Sequence, residues 1–321
     1  MRRFIRGLLT KIESKDYYVL SEANKTHRCS LRGTFKKEYS RKKDKLYVTD
    51  IAVVGDIVEF ELNQDGSGVI NTIDNRSNYL SRKAPKTKGA SYRGERLEQI
   101  IASNIDQIII ITSVHNPDFK NRTLDRFLVA AESAHLNCQI VINKSDLDTN
   151  KKMVHWNDLY QQIGYNVTIT SAVSKVGLDE LKRLLLKNKS LFFGQSGVGK
   201  STILNLIYPH LNLKIGELSN YDDKGSHTTV TSSMIQVEED TYIIDTPGVR
   251  EIDPYGIKKE DLGHYFIDFT DYLSECRYNT CTHYHEPDCG VISAVETGKI
   301  NEFRYDSYLR ILNTIEEDLL F

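Results

Sequence analysis

Gly194-Gln195-Ser196-Gly197-Val198-Gly199-Lys200-Ser201 follows the apolar run Ser190–Phe193 and leads into Thr202-Ile203-Leu204-Asn205-Leu206-Ile207. It fits the pattern G-x-x-x-x-G-K-[ST] in the setting that gives the pattern meaning, a strand before it and an apolar helical segment after it. Glycines let such a loop wrap a phosphate with backbone N–H groups, and the following helix adds the positive end of its dipole. The reading places Lys200 at the β- and γ-phosphates, Ser201 at a Mg²⁺ ion, and Thr202 after it among the GTP-binding residues. It also predicts an α/β sheet whose ligand lies beyond the carboxyl ends of its strands.

Working outward, the same alternation continues on both sides. Ile108–Ile111, Gln139–Ile142 and Asn166–Thr170 read as short buried strands. Leu124, Phe127, Leu128 and Ala131 mark one helix face, and Leu178, Leu181, Leu184 and Leu185 another. Strands spaced by helices predict a parallel sheet covered on both faces. Asn143-Lys144-Ser145-Asp146 ends one of these strands and fits N-K-x-D, in which the aspartate accepts both the N1–H and the exocyclic N–H of guanine. Adenine offers no such pair of donors, so a kinase or ATPase reading of the same phosphate loop is disfavoured. Ser171-Ala172 ends the next strand and fits the element whose backbone meets the guanine oxygen. Asp245-Thr246-Pro247-Gly248 follows Tyr242-Ile243-Ile244, with Asp245 placed to hold Mg²⁺ through water and the Gly248 N–H to sense the γ-phosphate.

The order of these elements is unusual. The guanine elements precede the phosphate loop and Asp245–Gly248 comes last, so the domain reads as circularly permuted. Strand neighbours rather than chain order build such a site. One consequence is that the γ-phosphate-sensing segment leads directly into the C-terminal residues, which hydrolysis would move as a lever.

The flanks differ in character. Before residue 80, Val58, Phe60 and Leu62 alternate with Glu59, Glu61 and Asn63, and similar runs surround Val19, Leu31, Val48 and Val69. Short strands of this kind predict a small barrel, with the OB-fold first in line. Residues 1–50 carry 14 Lys and Arg against 6 Asp and Glu, whereas residues 237–321 carry 7 against 19. The basic end is a candidate for RNA, against the alternative of a solvated charged face. Residues 82–96 read as a linker or loop. Beyond Gly248, Leu262, Phe266, Phe269 and Leu273 form one helical stripe and Tyr305, Tyr308, Leu309, Leu312 and Leu319 a second. Between them Cys276, Cys281 and Cys289 crowd together, while Cys29 and Cys138 stand alone. That clustering points to a metal rather than to disulfides. No apolar run approaches the length of a membrane span, and the N-terminus lacks the apolar core of a secretory signal, so a cytoplasmic protein is expected.

A small β-barrel, a permuted GTPase domain and a C-terminal Cys/His cluster together resemble the RsgA family, the small ribosomal subunit-dependent GTPases also called YjeQ or YloQ. The resemblance implies an OB-fold over residues 1–80 that contacts ribosomal RNA, a GTPase domain over 81–255 and a zinc-binding helical domain over 256–321. It implies a monomer that binds the small subunit late in its maturation and hydrolyses GTP to GDP there. Competing with that is a GTP-gated RNA clamp whose hydrolysis is incidental. The family spacing C-x4-C-x-H-x5-C assigns Cys276, Cys281, His283 and Cys289 to one structural Zn²⁺, with His285 as the neighbouring alternative to His283. Lys224–Val230 looks like the family's switch segment, in which Thr229, with Thr228 as its rival, completes the Mg²⁺ shell. Ser226 stands where arginine is usual, and Val230 replaces a third threonine. Val249 occupies the place where many GTPases carry a water-orienting glutamine, which leaves His227 to position water or to face solvent without a role.

Overall fold

A computed structural model describes residues 4–35, 50–84, 98–213, 232–245, 252 and 254–315. The switch residues 224–230, the segment 246–250, most of the loop at 82–96, Val48 and Leu319 lie outside the described residues.

Five strands form the N-terminal barrel: β1 (Phe4–Glu13), β2 (Asp16–Ser21), β3 (Thr26–Leu31), β4 (Ile57–Leu62) and β5 (Gly68–Ile73). Their order is β1-β2-β3-β5-β4, closed by pairing of β4 with β1. Every contact is antiparallel except β3 with β5. The alternation seen in the sequence sends Val58 and Phe60 inward with Leu9, Val19, Cys29 and Ile70. A two-stranded ribbon follows, β6 (Tyr79–Lys83) against β7 (Glu98–Ser103). Arg82 and Lys83, the start of the stretch read as a linker, therefore end a strand. Fully buried Asp56 ties the ribbon to the barrel, accepting both forks of Arg76 at 2.7 and 2.9 Å and the Ser103 hydroxyl at 2.6 Å.

The central sheet runs β10-β9-β8-β11-β13-β12. Its strands are β8 (Gln107–Ser113), β9 (Asn137–Asn143), β10 (Asn166–Ile169), β11 (Lys189–Phe193), β12 (Ser233–Glu238) and β13 (Thr241–Asp245). All neighbours are parallel except β12 with β13. Even-numbered Ile108 and Ile110 pack under helices α1 (Asn121–Ser133) and α2 (Lys152–Ile163). Odd-numbered Ile109 and Ile111 pack under α3 (Leu178–Leu185) and α4 (Lys200–Ile207). An unbroken apolar run is what a strand covered on both faces requires. Strand order reverses direction between β8 and β11, and the phosphate loop leaves β11 at that switch point. At its other edge, β12 pairs with β1 of the barrel through Lys11 and Ser233.

The C-terminal unit contains α5 (Thr270–Leu273), α6 (Gly290–Glu296) and α7 (Glu302–Leu312). The stripe Leu262, Phe266, Phe269, Leu273, expected as one helix, is broken into 3₁₀ turns at Leu262–Tyr265 and Ile267–Phe269 before α5, with extended backbone at Phe266. The break has a packing cause, because a Cβ at Gly263 would come within 2.7 Å of the His283 ring and the segment wraps that ring instead of running straight. Phe266, Phe269, Val291 and Tyr308 form the core here, joined by Val129 from α1.

Polar contacts complete that junction. Arg304 on α7, 1% exposed, donates to Asp125 of α1 and to Asp268 at 2.8 and 3.2 Å. Its guanidinium lies 4.6 Å from the centre of the Phe266 ring, and Tyr160 donates to Asp125 at 2.7 Å. Burial works against a charged guanidinium, yet Asp125 and Asp268 outweigh it and raise the Arg304 pKa. Among the described residues, no helix is long and apolar enough to cross a membrane.

Candidate nucleotide site and Cys/His centre

Because β8, β9, β10, β11 and β13 are parallel, Ser113, Asn143, Thr170, Gly194 and Asp245 lie at one edge of the sheet. Gly194 leaves β11 at φ +150°, and a Cβ there would meet the Ile111 carbonyl oxygen at 2.3 Å. Gly199 has φ +101°, and its Cβ would sit 2.4 Å from Asn143 Nδ2. The second glycine thus opens the space through which the N-K-x-D element reaches the phosphate loop.

That reach is explicit. Asn143 Nδ2 donates to the Val198 carbonyl at 2.8 Å, while its Oδ1 accepts from the Thr170 hydroxyl at 3.1 Å. The Ser145 N–H donates to the Thr170 carbonyl at 3.1 Å. Asp146 accepts from the Ser171 hydroxyl at 2.5 Å, and that hydroxyl accepts from the Ser174 N–H at 3.1 Å. A buried serine therefore aims the carboxylate. Lys144 takes a left-handed backbone at φ +60°, and its ammonium donates to the Asn116 carbonyl. Burial lowers the Lys144 pKa, with Asp146 opposing. Ala172, partly buried, packs against the core under α3 and α4.

On the phosphate side, Lys200 is buried at the start of α4 and donates to the carbonyls of Gly194 at 2.7 Å and Gln195 at 3.0 Å. Burial pushes its pKa down to about 8, partly offset by Asp245. Ser201 and Asp245 are buried beside it, and Asp245 pairs in register with Phe192 of β11. Ser196, Gly197 and Thr202 complete the loop and the first turn. Two groups escaped the sequence reading, the Thr170 hydroxyl and the loop after β8, where Pro117 lies 3.6 Å from the position a Cβ would take on Gly197. Their place at the carboxyl end of strands flanking the switch point was the available signal.

Lys200→Met makes the charge argument testable. At pH 7, below the lysine's lowered pKa, the substitution removes a desolvated cation and is expected to stabilise the nucleotide-free protein by about 1–3 kcal/mol. GTP affinity is expected to fall by about 100-fold or more, the loss of a desolvated charge-assisted contact to phosphate. Denaturant unfolding and nucleotide titration read the two effects. Unchanged GTP affinity would remove Lys200 from the phosphate site.

The second centre gathers Cys276, Cys281, His283 and Cys289, whose ligand atoms all lie within 4.8 Å of one another. Cys276 Sγ is 3.5 Å from His283 Nδ1 and 3.8 Å from Cys289 Sγ, and His283 Nδ1 is 3.4 Å from Cys289 Sγ. Sulfur ligands at about 2.3 Å around a tetrahedral zinc stand roughly 3.8 Å apart, so the set fits a closed structural site. His285 is exposed and lies outside it. His283 holds a left-handed backbone, φ +51°, fixed by the Tyr305 hydroxyl donating to its carbonyl at 2.7 Å. Tyr308 donates to the Thr282 carbonyl at 2.6 Å. Glu286 clamps the loop, accepting from the Thr282 hydroxyl and N–H and from the Tyr284 and His285 N–H groups. Desolvation alone would raise the Glu286 pKa, but these bonds bring it down to about 2.

Comparison with known proteins agrees along the whole length. A profile of the RsgA GTPase family matches residues 73–255, and one of the RsgA N-terminal domain matches 6–70. The small ribosomal subunit biogenesis GTPase RsgA of Phocaeicola vulgatus is 37% identical over 316 residues, 98% of each chain. Its counterpart from Chlorobaculum parvum is 37% identical over 321 residues, 99% of this chain and 100% of the relative. Among solved structures, YjeQ from Thermotoga maritima superposes with a TM-score of 0.75 at 31% identity, covering 97% of this chain and 98% of that one. YloQ, a circularly permuted GTPase, gives 0.69 at 29% identity, covering 97% and 94%.

Proposed function

The chain belongs to the RsgA family of circularly permuted GTPases, and from that premise we propose that it binds the small ribosomal subunit late in its assembly and hydrolyses GTP there, at a rate the subunit raises. The observation that carries the reading is the bond from Asn143 to the Val198 carbonyl, which joins a guanine-reading element to a phosphate loop in one pocket.

Within that pocket Asp146, aimed by Ser171, accepts the two guanine N–H groups, and the Ala172 backbone meets the guanine oxygen. The loop Gly194–Ser201 cradles the phosphates. Lys200 exchanges its carbonyl partners for phosphate oxygens, a trade that favours binding because the buried ammonium gains a full opposite charge. Ser201, Asp245 and Thr229 are the residues that would hold Mg²⁺, which when bound neutralises charge on the β- and γ-phosphates. The Gly248 N–H reads the γ-phosphate, and His227 orients the attacking water when the subunit is bound. The basic barrel of residues 1–80 lies on ribosomal RNA, and residues 256–321, fixed by a structural zinc at the Cys/His set, follow the GTPase unit of residues 81–255. The reading places the protein in the cytoplasm as a monomer.

GTP turnover measured alone and with purified small subunits tests this directly. A rise of at least tenfold with subunits is expected, and most of that rise is expected to vanish in His227→Ala. Nucleotide-dependent binding with no rise in turnover would overturn the proposal in favour of a clamp whose hydrolysis is incidental.

A further inference from the structure

Between α1 and α7 lies a solvent-open cleft of about 570 Å³, whose charged lining residues are Arg122, Arg126 and Arg310. Among the described residues no carboxylate lines it. Asp306, at its rim, serves two of these guanidiniums at once, Arg122 at 2.9 Å and Arg310 at 3.1 Å. Arg126 donates only to a neutral partner among its described hydrogen bonds, the Thr314 hydroxyl at 2.9 Å. Among the described residues, three planar forks sharing one carboxylate leave a positive excess, with Asn313 and Thr314 as further polar groups. Arginine forks match phosphate oxygens in pairs, and phosphate contacts position a protein on nucleic acid without reading its sequence.

We infer that this cleft grips a sugar–phosphate backbone of the small-subunit RNA, as a second contact separate from the barrel; the inference rests on the reading that the protein binds that subunit. Two features set the cleft apart from an ordinary basic patch. It is built from both units, with Arg122 and Arg126 on the GTPase helix α1 and Arg310 on α7, so a backbone lying in it holds the two together. Ile252 also lines it, seven positions beyond Asp245. RNA in the cleft therefore touches the chain just past the segment that reads the γ-phosphate, which gives the subunit a physical contact through which to raise turnover.

The test uses the full-length double variant Arg126→Gln/Arg310→Gln and its charge-keeping counterpart Arg126→Lys/Arg310→Lys. Binding to purified small subunits and to protein-free small-subunit RNA is measured across a salt series. Each lost phosphate contact is expected to lower the slope of log K against log salt by about 0.7–0.9. The glutamine pair is expected to weaken binding by about tenfold on both targets, and the lysine pair to keep most of the slope. Basal GTP turnover and thermal midpoint without subunits should stay at the wild-type values, which shows that the fold and pocket survive. Unchanged affinity and slope in the glutamine pair, with the wild-type protein binding normally, would overturn the cleft and leave the proposed function standing. Weaker binding to subunits with unaltered binding to free RNA would also overturn it, since the arginines would then meet an acidic protein. Failure of the wild-type protein to bind subunits would overturn the functional reading itself.

Discussion

Asp146→Asn is expected to lower GTP affinity by about 10²- to 10⁴-fold while leaving the fold intact. The carboxylate is placed to accept two hydrogen bonds from guanine, each charge-assisted and worth about 1.5–3 kcal/mol in a desolvated pocket. An amide can present its oxygen to one donor only, and its NH₂ then faces the other. Xanthine carries a carbonyl where guanine carries the exocyclic amine, so the variant's preference is expected to move toward xanthosine triphosphate. The Ser171 hydroxyl, 2.5 Å from Asp146, can still donate to the amide oxygen, which is why stability should hold. Titration of GTP, XTP and ATP against both proteins measures the shift. Retention of GTP affinity within threefold would show that Asp146 reads no base, and the pocket assignment would fall with it.

Arg304→Ala is expected to cost about 3–5 kcal/mol. Asp125 is fully buried and the Asp268 side chain is 11% exposed, so the truncation strands two carboxylates without their counter-ion. It also removes the cation stacked on Phe266. Arg304→Lys restores charge without the fork and is expected to recover only part of the loss, since one ammonium cannot bond both carboxylates in the observed geometry. Urea unfolding of the three proteins provides the measurement. A loss below about 1 kcal/mol for Arg304→Ala would mean that the C-terminal unit is held to α1 by its apolar contacts alone.

This junction also marks where sequence reading stopped. In Asn121-Arg122-Thr123-Leu124-Asp125-Arg126 the aspartate has the look of a solvated helix charge, and nothing in its neighbourhood announces a partner 179 positions away. Only the packing of α7 against α1 makes the pair visible. The sheet was legible for the opposite reason. Ile108–Ile111 must bury both faces, and that need writes an apolar run into the chain. The barrel strand at Val58 and Phe60 declared itself by period, and Cys276, Cys281 and Cys289 by crowding, whereas His283 was told from His285 only by the family spacing. Around the candidate nucleotide pocket, the proposed nucleotide-binding residues stood out as motifs, whereas the Thr170 hydroxyl bonded to Asn143 and the loop at Pro117 beside Gly197 depend on placement that no motif encodes. The broken stripe from Leu262 to Leu273 shows the reverse failure, a helical spacing kept by side chains while the backbone bends around His283.

The pairing of Lys11 with Ser233 gives the barrel a grip on the first residue of β12, three positions along the chain from Val230. Among the described residues this one backbone rung joins the barrel to the strand that follows residues 224–230, so under the proposed function a torque applied to the barrel would reach that strand without passing through the nucleotide pocket. Under the proposed function the γ-phosphate-reading segment is followed in sequence by the C-terminal helices, so the two ends of the molecule would pull on opposite sides of the same chemical event.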